Sequence, residues 1–199
     1  MNIILASGSP RRKELLAQAG FDFEVEVSNA DENVAEESPT EMVEELAARK
    51  AEAVVNLHNK KEDNCLVIGA DTIVVLDGKI LGKPADEADA RAMLASLSGR
   101  THQVYTGVTL IRLRKAENGS ILQESRTFSE GTDVSFYPLT KEEIRSYIAT
   151  GEPMDKAGAY GIQGRAGAFC EYLEGDYFSV MGLPVCSLAV LLRRFGAAV

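Results

Sequence analysis

Cys65-Leu66-Val67-Ile68-Gly69-Ala70-Asp71-Thr72-Ile73-Val74-Val75-Leu76 is the strongest strand signal in the chain. It is almost continuously apolar and rich in β-branched residues, the pattern of a buried strand. Asp77-Gly78 then turns the chain into Lys79-Ile80-Leu81, which reads as a hairpin. Working outward, strand and helix signals alternate. Met1 to Ala6 reads as a buried strand and Arg11 to Gly20 as a helix, with Pro10 suited to its first turn. Phe21 to Val27 alternates apolar and acidic residues, as in a half-buried strand. Ser38-Pro39-Thr40-Glu41 starts a helix through a capping box. That helix runs to about Leu57, with Met42, Leu46, Ala53 and Leu57 among its apolar positions. A third helix spans Asp86 to Ser98 and closes at Gly99. Gln103 to Leu113 and Ile121 to Phe136 read as antiparallel strands about an Asn118-Gly119 turn. Thr140 to Glu143 caps a helix that Gly151 ends, and Pro184 to Phe195 is the last helix. Gly158 to Gly167 is too rich in glycine for regular structure. These signals predict a mixed α/β fold, with a curved sheet, flanking helices and two lobes around a cleft, in a single domain over 1–199.

The lone carboxylate in the apolar strand is the first chemical signal. An unpaired buried carboxylate costs several kcal/mol or takes up a proton. Asp71 therefore needs a cation, a hydrogen-bond network or a mouth onto a cleft. Tied to backbone N–H groups it would be structural; open to a cleft it suits a metal ligand or a general base toward water. The second signal is Ser7-Gly8-Ser9-Pro10-Arg11-Arg12, between a strand and a helix. Hydroxyls, a flexible glycine, helix N-terminal N–H groups and two guanidinium forks all suit an anion such as phosphate. Plain strand–turn–helix punctuation also uses Ser, Gly and Pro. Adjacent arginines oppose the helix dipole there, however, and an anionic ligand supplies a reason for them. Lys50 sits in a Glu-rich helical stretch, where pairing with Glu is its ordinary role, and Lys83 follows the hairpin. Gln163, among glycines, can offer both a donor and an acceptor to a base edge, although a plain mobile loop has the same composition.

Hydrophobic residues make up 45% and charged residues 26% of the 199, ordinary for a globular protein. No apolar run approaches the roughly 18 residues of a membrane span. The N-terminus enters a strand directly, so secretion is not expected and a cytoplasmic setting is. Cys65, Cys170 and Cys186 fit no metal spacing and read as reduced core residues. The net charge of −9 disfavours nucleic acid. Much of the acidity lies in Asp31 to Glu45, readable as a solvated face. Only His58 and His102 are histidines; His58 reads as a surface residue, and a zinc site or a Ser-His-Asp triad is poorly supported. Any metal should be a hard cation held by carboxylate and phosphate oxygens.

Five separated stretches together resemble the Maf family of nucleoside triphosphate pyrophosphatases. They are Ser7 to Arg12, Gly69 to Val74, Lys83-Pro84, Leu97 to His102, and Gly151 through Asp155-Lys156 to Gly164. They stand in the family's order and cover essentially the whole chain. The resemblance implies a fold related to that of inosine triphosphate pyrophosphatases, with a deep cleft between two lobes. It implies Mg²⁺- or Mn²⁺-dependent hydrolysis of a nucleoside triphosphate to the monophosphate and pyrophosphate. Asp71 matches the family's catalytic acid/base, and Arg11, Thr72 and Gln163 match positions associated with substrate choice. Ser7, Arg12, Glu32, Lys50 and Lys83 match the polar lining, with Glu32 joining Asp71 as a metal ligand. Asp71-Thr72 with Tyr160 to Gly164 resembles the branch that acts on dTTP and UTP, with modified pyrimidine nucleotides as further substrates. A homodimer, with neither nucleic acid nor membrane as partner, is the corresponding expectation. The alternatives are a pyrophosphatase for 7-methyl-GTP or another purine triphosphate, and a non-enzymatic nucleotide-binding regulator of septum formation.

Overall fold

In the computed structural model the described residues are 1–34, 38–58 and 64–197. Residues 35–37 of the acidic run and the side chain of His58 lie outside the described part. Strand β1 (Asn2–Leu5) leads through Ser9 into helix α1 (Pro10–Gln18), which has proline in its first turn and Leu15 and Leu16 buried. Strand β2 is only Glu24–Val25, both exposed, where the alternation predicts a longer strand. β1 ends at Leu5, opposite Val25, so β2 has no further β1 residue to pair with toward Val27. Helix α2 (Pro39–His58) starts at Ser38, whose hydroxyl accepts the Glu41 N–H at 3.4 Å. Its inward stripe is Val43, Leu46, Ala47, Ala51, Val54 and Val55, whereas Leu57 is 65% exposed. The stripe is therefore rotated from the expected one, and Lys50 lies on its line, one turn from Leu46 and Val54.

Strand β3 (Asn64–Leu76) and strand β4 (Lys79–Leu81) form the expected hairpin. Asp77 and Gly78 both have left-handed φ, +52° and +73°, as a two-residue hairpin turn requires. Helix α3 (Glu87–Leu97) is capped by Asp86, which accepts the Asp89 N–H. Strands β5 (Thr101–Lys115) and β6 (Ile121–Phe136) follow, with the Asn118 side chain accepting the Ser120 N–H at 3.0 Å in the turn between them. Helix α4 (Lys141–Ile148) carries the full capping box of Thr140 and Glu143. The glycine-rich stretch that follows holds only short 3₁₀ turns, at Glu152–Asp155, Ala157–Ala159 and Arg165–Phe169. Strand β7 (Cys170–Glu174), helix α5 (Tyr177–Met181) and helix α6 (Val185–Arg194) complete the chain.

The strands form one mixed sheet in the order β2-β1-β3-β5-β6-β7, with β4 beside β3. β1 is parallel to both its neighbours, and β7 is antiparallel to β6. This is the mixed α/β architecture with flanking helices that the alternation of elements predicts. The chain divides into two compact units. The first is Met1–Asp71, Thr106–Ser129 and Gly182–Val199; the second is Thr72–Tyr105 and Glu130–Met181. In the first, α2 packs its stripe on the sheet, around Ile4, Val54, Val55, Val67 and Ile111. In the second, Phe136 is the hub of an edge-on aromatic cluster with His102, Tyr160 and Phe169. Cys65 is buried as expected, but Cys170 is only half-buried and Cys186 is exposed, which corrects their reading as core residues; none is in a disulfide. Cys170 opens an edge strand and Cys186 lies in the first turn of α6, off its inward line of Leu188 and Leu192. No helix among the described residues is long and apolar enough to cross a membrane.

Candidate active site

Two residues beyond β1 lies Ser7, buried, and α1 begins three residues after it. Ser7 Oγ accepts the Ser9 N–H at 3.2 Å and a second bond from Arg12 Nη1 at 3.2 Å. Arg12 Nε donates to the Gly182 carbonyl at 2.7 Å, so the first turn of α1 aims this guanidinium inward. Burial pushes its pKa down and Arg11 adds to that effect, while the charges of Asp71 and Glu32 oppose it. Arg12 is thus electrostatically within reach of both carboxylates. Arg11 occupies the same helical turn, half-buried.

Asp71 has the cation its burial demands. Lys50 Nζ reaches Asp71 Oδ1 at 2.5 Å and Glu32 Oε1 at 2.8 Å. The Asp71 and Lys50 side chains are 13% and 14% exposed, and Glu32 is 68% exposed, so the pair opens toward solvent at Glu32. The approach depends on Gly69, two residues before Asp71 and hence on the same face of β3. A Cβ there would lie 2.2 Å from the Ala47 carbonyl of α2 and 2.7 Å from the Ala51 nitrogen. Only glycine lets the α2 backbone come this close, and Lys50 sits on that stretch of helix. Gly107 on β5 does the same one turn earlier, 2.3 Å from the Val43 carbonyl. Arg49 braces the loop bearing Glu32: its Nη1 donates to the Asn33 carbonyl at 2.9 Å and its Nε pairs with Glu45 at 2.7 Å.

The first unit therefore gathers Ser7, Arg12, Glu32, Lys50 and Asp71 into one cluster. Lys50 is part of it, where the sequence equally allowed an ordinary surface pair. Thr72 follows Asp71 on β3, half-buried and on the opposite face of the strand. Lys83 is exposed after β4, where the neighbouring Gly82 carbonyl accepts the Gly158 N–H at 3.0 Å. Gln163 is exposed at the tip of a turn closed by the Gly164 N–H on the Gly161 carbonyl, 3.0 Å. These three belong to the second unit. The sequence reading missed Gly182, Arg49 and the glycine seats of α2. A glycine inside an otherwise apolar strand is the one local signal that points to Gly69.

Among the described residues no cluster of three or more His, Cys, Asp and Glu is built to enclose a metal. Two carboxylates converging on one cation is still the donor set that suits a small hard cation, whose remaining positions are filled by water and phosphate oxygens. Asp71 and Glu32 fit that requirement.

A family model described as Maf-like protein matches residues 2–195. The chain belongs to the Maf-like family. Among the curated relatives of this Maf chain is a dTTP/UTP pyrophosphatase of Bacillus mycoides (strain KBAB4), 50% identical over 99% of this chain and 97% of the relative. Another relative named dTTP/UTP pyrophosphatase, from Symbiobacterium thermophilum, is 52% identical over 98% of this chain and 94% of its own length. A solved HAM1 protein from Coxiella burnetii covers 98% of the Maf chain and 99% of its own at 15% identity, with a TM-score of 0.42.

Proposed function

We propose that the chain hydrolyses nucleoside triphosphates, dTTP and UTP foremost, to the monophosphate and pyrophosphate. Relatives that bear this activity in their names, at half identity over nearly the full length, support the reaction class. The observation that carries the mechanism is a carboxylate, Asp71, held 2.5 Å from Lys50 within charge reach of Arg12.

In this reading Asp71 takes a proton from a water that attacks the α-phosphorus. A bond forms from the water oxygen to phosphorus, and the bond from phosphorus to the bridging α–β oxygen breaks. The leaving pyrophosphate carries the electron pair, and Arg12, Lys50 and Lys83 offset its growing charge. Ser7 and the N–H groups opening α1 orient phosphate oxygens. Arg12 and Lys50 are balanced by Asp71 and Glu32, so the cluster by itself offers little net charge to a triphosphate. A divalent cation, Mg²⁺ or Mn²⁺, fits this deficit, with Asp71 and Glu32 as its protein ligands. When bound it supplies positive charge to the phosphate oxygens. Arg11, Thr72 and Gln163 take the role of choosing the base. A cytoplasmic, homodimeric enzyme belongs to the same proposal; three free thiols, one of them exposed, suit a reducing compartment.

Pyrophosphate release from a panel of canonical and modified nucleoside triphosphates, with Mg²⁺, Mn²⁺ or chelator, tests the proposal. Metal-dependent release favouring dTTP and UTP is expected. Preference for a purine triphosphate would keep the reaction and overturn the base assignment. Saturable binding without product would favour a regulator over an enzyme.

A further inference from the structure

The turn that presents Gln163 is held at both feet by a single polar relay. At its start the Gly161 N–H donates to Tyr147 Oη at 3.1 Å. Tyr147 Oη donates in turn to Glu152 Oε1 at 3.0 Å. At its end the Arg165 N–H donates to Glu152 Oε2 at 3.3 Å. One phenol and one carboxylate thus fix both the entry and the exit of a four-residue turn. Tyr147 is 3% exposed and its ring meets Phe169 edge-on, centroids 5.2 Å apart, so the relay is anchored in the core. Burial pushes the phenol's pKa up and keeps it a donor to the carboxylate.

The seat is tight. A Cβ on Gly164 would lie 1.9 Å from Glu152 Oε1, and one on Gly161 would lie 2.7 Å from Lys156 Cε. Lys156 is itself fixed, its Nζ donating to the Glu152 carbonyl at 2.6 Å. The sequence alone allowed a mobile loop here; the hydrogen bonds describe a clamped one. The Gln163 side chain is exposed, so its placement is set by this backbone.

We infer that Tyr147 and Glu152 are positioning residues for base selection, holding the turn so that the Gln163 amide meets a nucleobase edge in one orientation. This rests on the base-reading role proposed for Gln163. An amide on a rigid turn rejects bases with the wrong donor and acceptor pattern; the same amide on a loose turn adapts to several.

The test compares kcat/KM for dTTP and GTP, with Mg²⁺, in the full chain and in Tyr147→Phe, Glu152→Gln, Gln163→Ala and the double variant Tyr147→Phe/Gln163→Ala. Tyr147→Phe removes only the hydroxyl, and its melting temperature checks that the fold is intact. The dTTP-over-GTP ratio is expected to fall about tenfold in Tyr147→Phe and in Glu152→Gln. On the Gln163→Ala background, Tyr147→Phe should lower the ratio no further. An equal loss for both nucleotides, an unchanged ratio in Tyr147→Phe, or full additivity in the double variant would overturn the inference and leave Gln163 its role. An unchanged ratio in Gln163→Ala would remove that role and the inference with it. Failure of the unaltered chain to release pyrophosphate from any nucleotide would strike the proposed reaction itself.

Discussion

Lys50 is one ammonium shared by two carboxylates, and the consequences of removing it follow from burial. Lys50→Met keeps the apolar stem on the inward stripe of α2 but leaves Asp71, 13% exposed, without its nearest cation. A loss of about 1.5–3 kcal/mol in denaturant unfolding is expected, with a large loss of turnover. Unfolding within about 0.5 kcal/mol of the original chain would show that the pair is not a stabilising one. His102 offers a second test. It is buried beneath Phe136, with Nε2 2.8 Å from the Tyr160 hydroxyl, and burial lowers its pKa from 6.5 to about 4 against the opposing pull of Asp133. On acidification the unfolded chain takes up this proton first. The stability is fully present above pH 6.5 and is lost as pH falls toward 4, on the order of 3 kcal/mol in all. Melting temperature should therefore fall less steeply from pH 6.5 to 4.5 in His102→Gln than in the original chain; equal slopes would contradict the assignment.

At the scale of elements, the site depends on how closely α2 lies on β3. Gly69 and Gly107 meet carbonyls of consecutive helical turns, so at these two points the helix backbone lies directly on the sheet backbone. Gly69→Ala forces the helix outward because the colliding atoms are backbone and cannot rotate away. A cost of about 3 kcal/mol in stability is expected, the upper end for an overpacked site. Activity should fall with it, since the shift carries Lys50 away from Asp71. A variant with unchanged stability and turnover would mean that the close approach is dispensable. The Glu32 loop shows a milder form of the same construction: Arg49 holds its backbone carbonyl at Asn33, while the next residue, Lys50, holds its carboxylate.

Across the whole molecule, what the sequence disclosed follows from how local each signal is. Asp71 stood out because a carboxylate in an apolar strand must be reconciled with its burial, and the structure supplies Lys50 and Arg12. The capped helices and the Asp77-Gly78 and Asn118-Gly119 turns were legible because each rests on a few adjacent residues. The place of Lys50 was not, because it depends on the rotational phase of a long helix and on glycines from two strands. β7 and α5 are five residues each and carry too little periodicity to register. The end of β2 at Val25 follows where β1 stops, which no reading of Phe21 to Val27 contains. The Tyr147–Glu152 relay joins residues whose partnership exists only after folding. The family resemblance reached the site residues by a different route, through separated motifs whose order matches. The central claim is that Asp71 is the base that activates water. The measurement is turnover of dTTP with Mg²⁺ by Asp71→Asn, beside its thermal unfolding. A loss of about 10²–10⁴ in kcat with an intact unfolding transition is predicted, and near-normal turnover would make Asp71 a structural residue and the mechanism wrong.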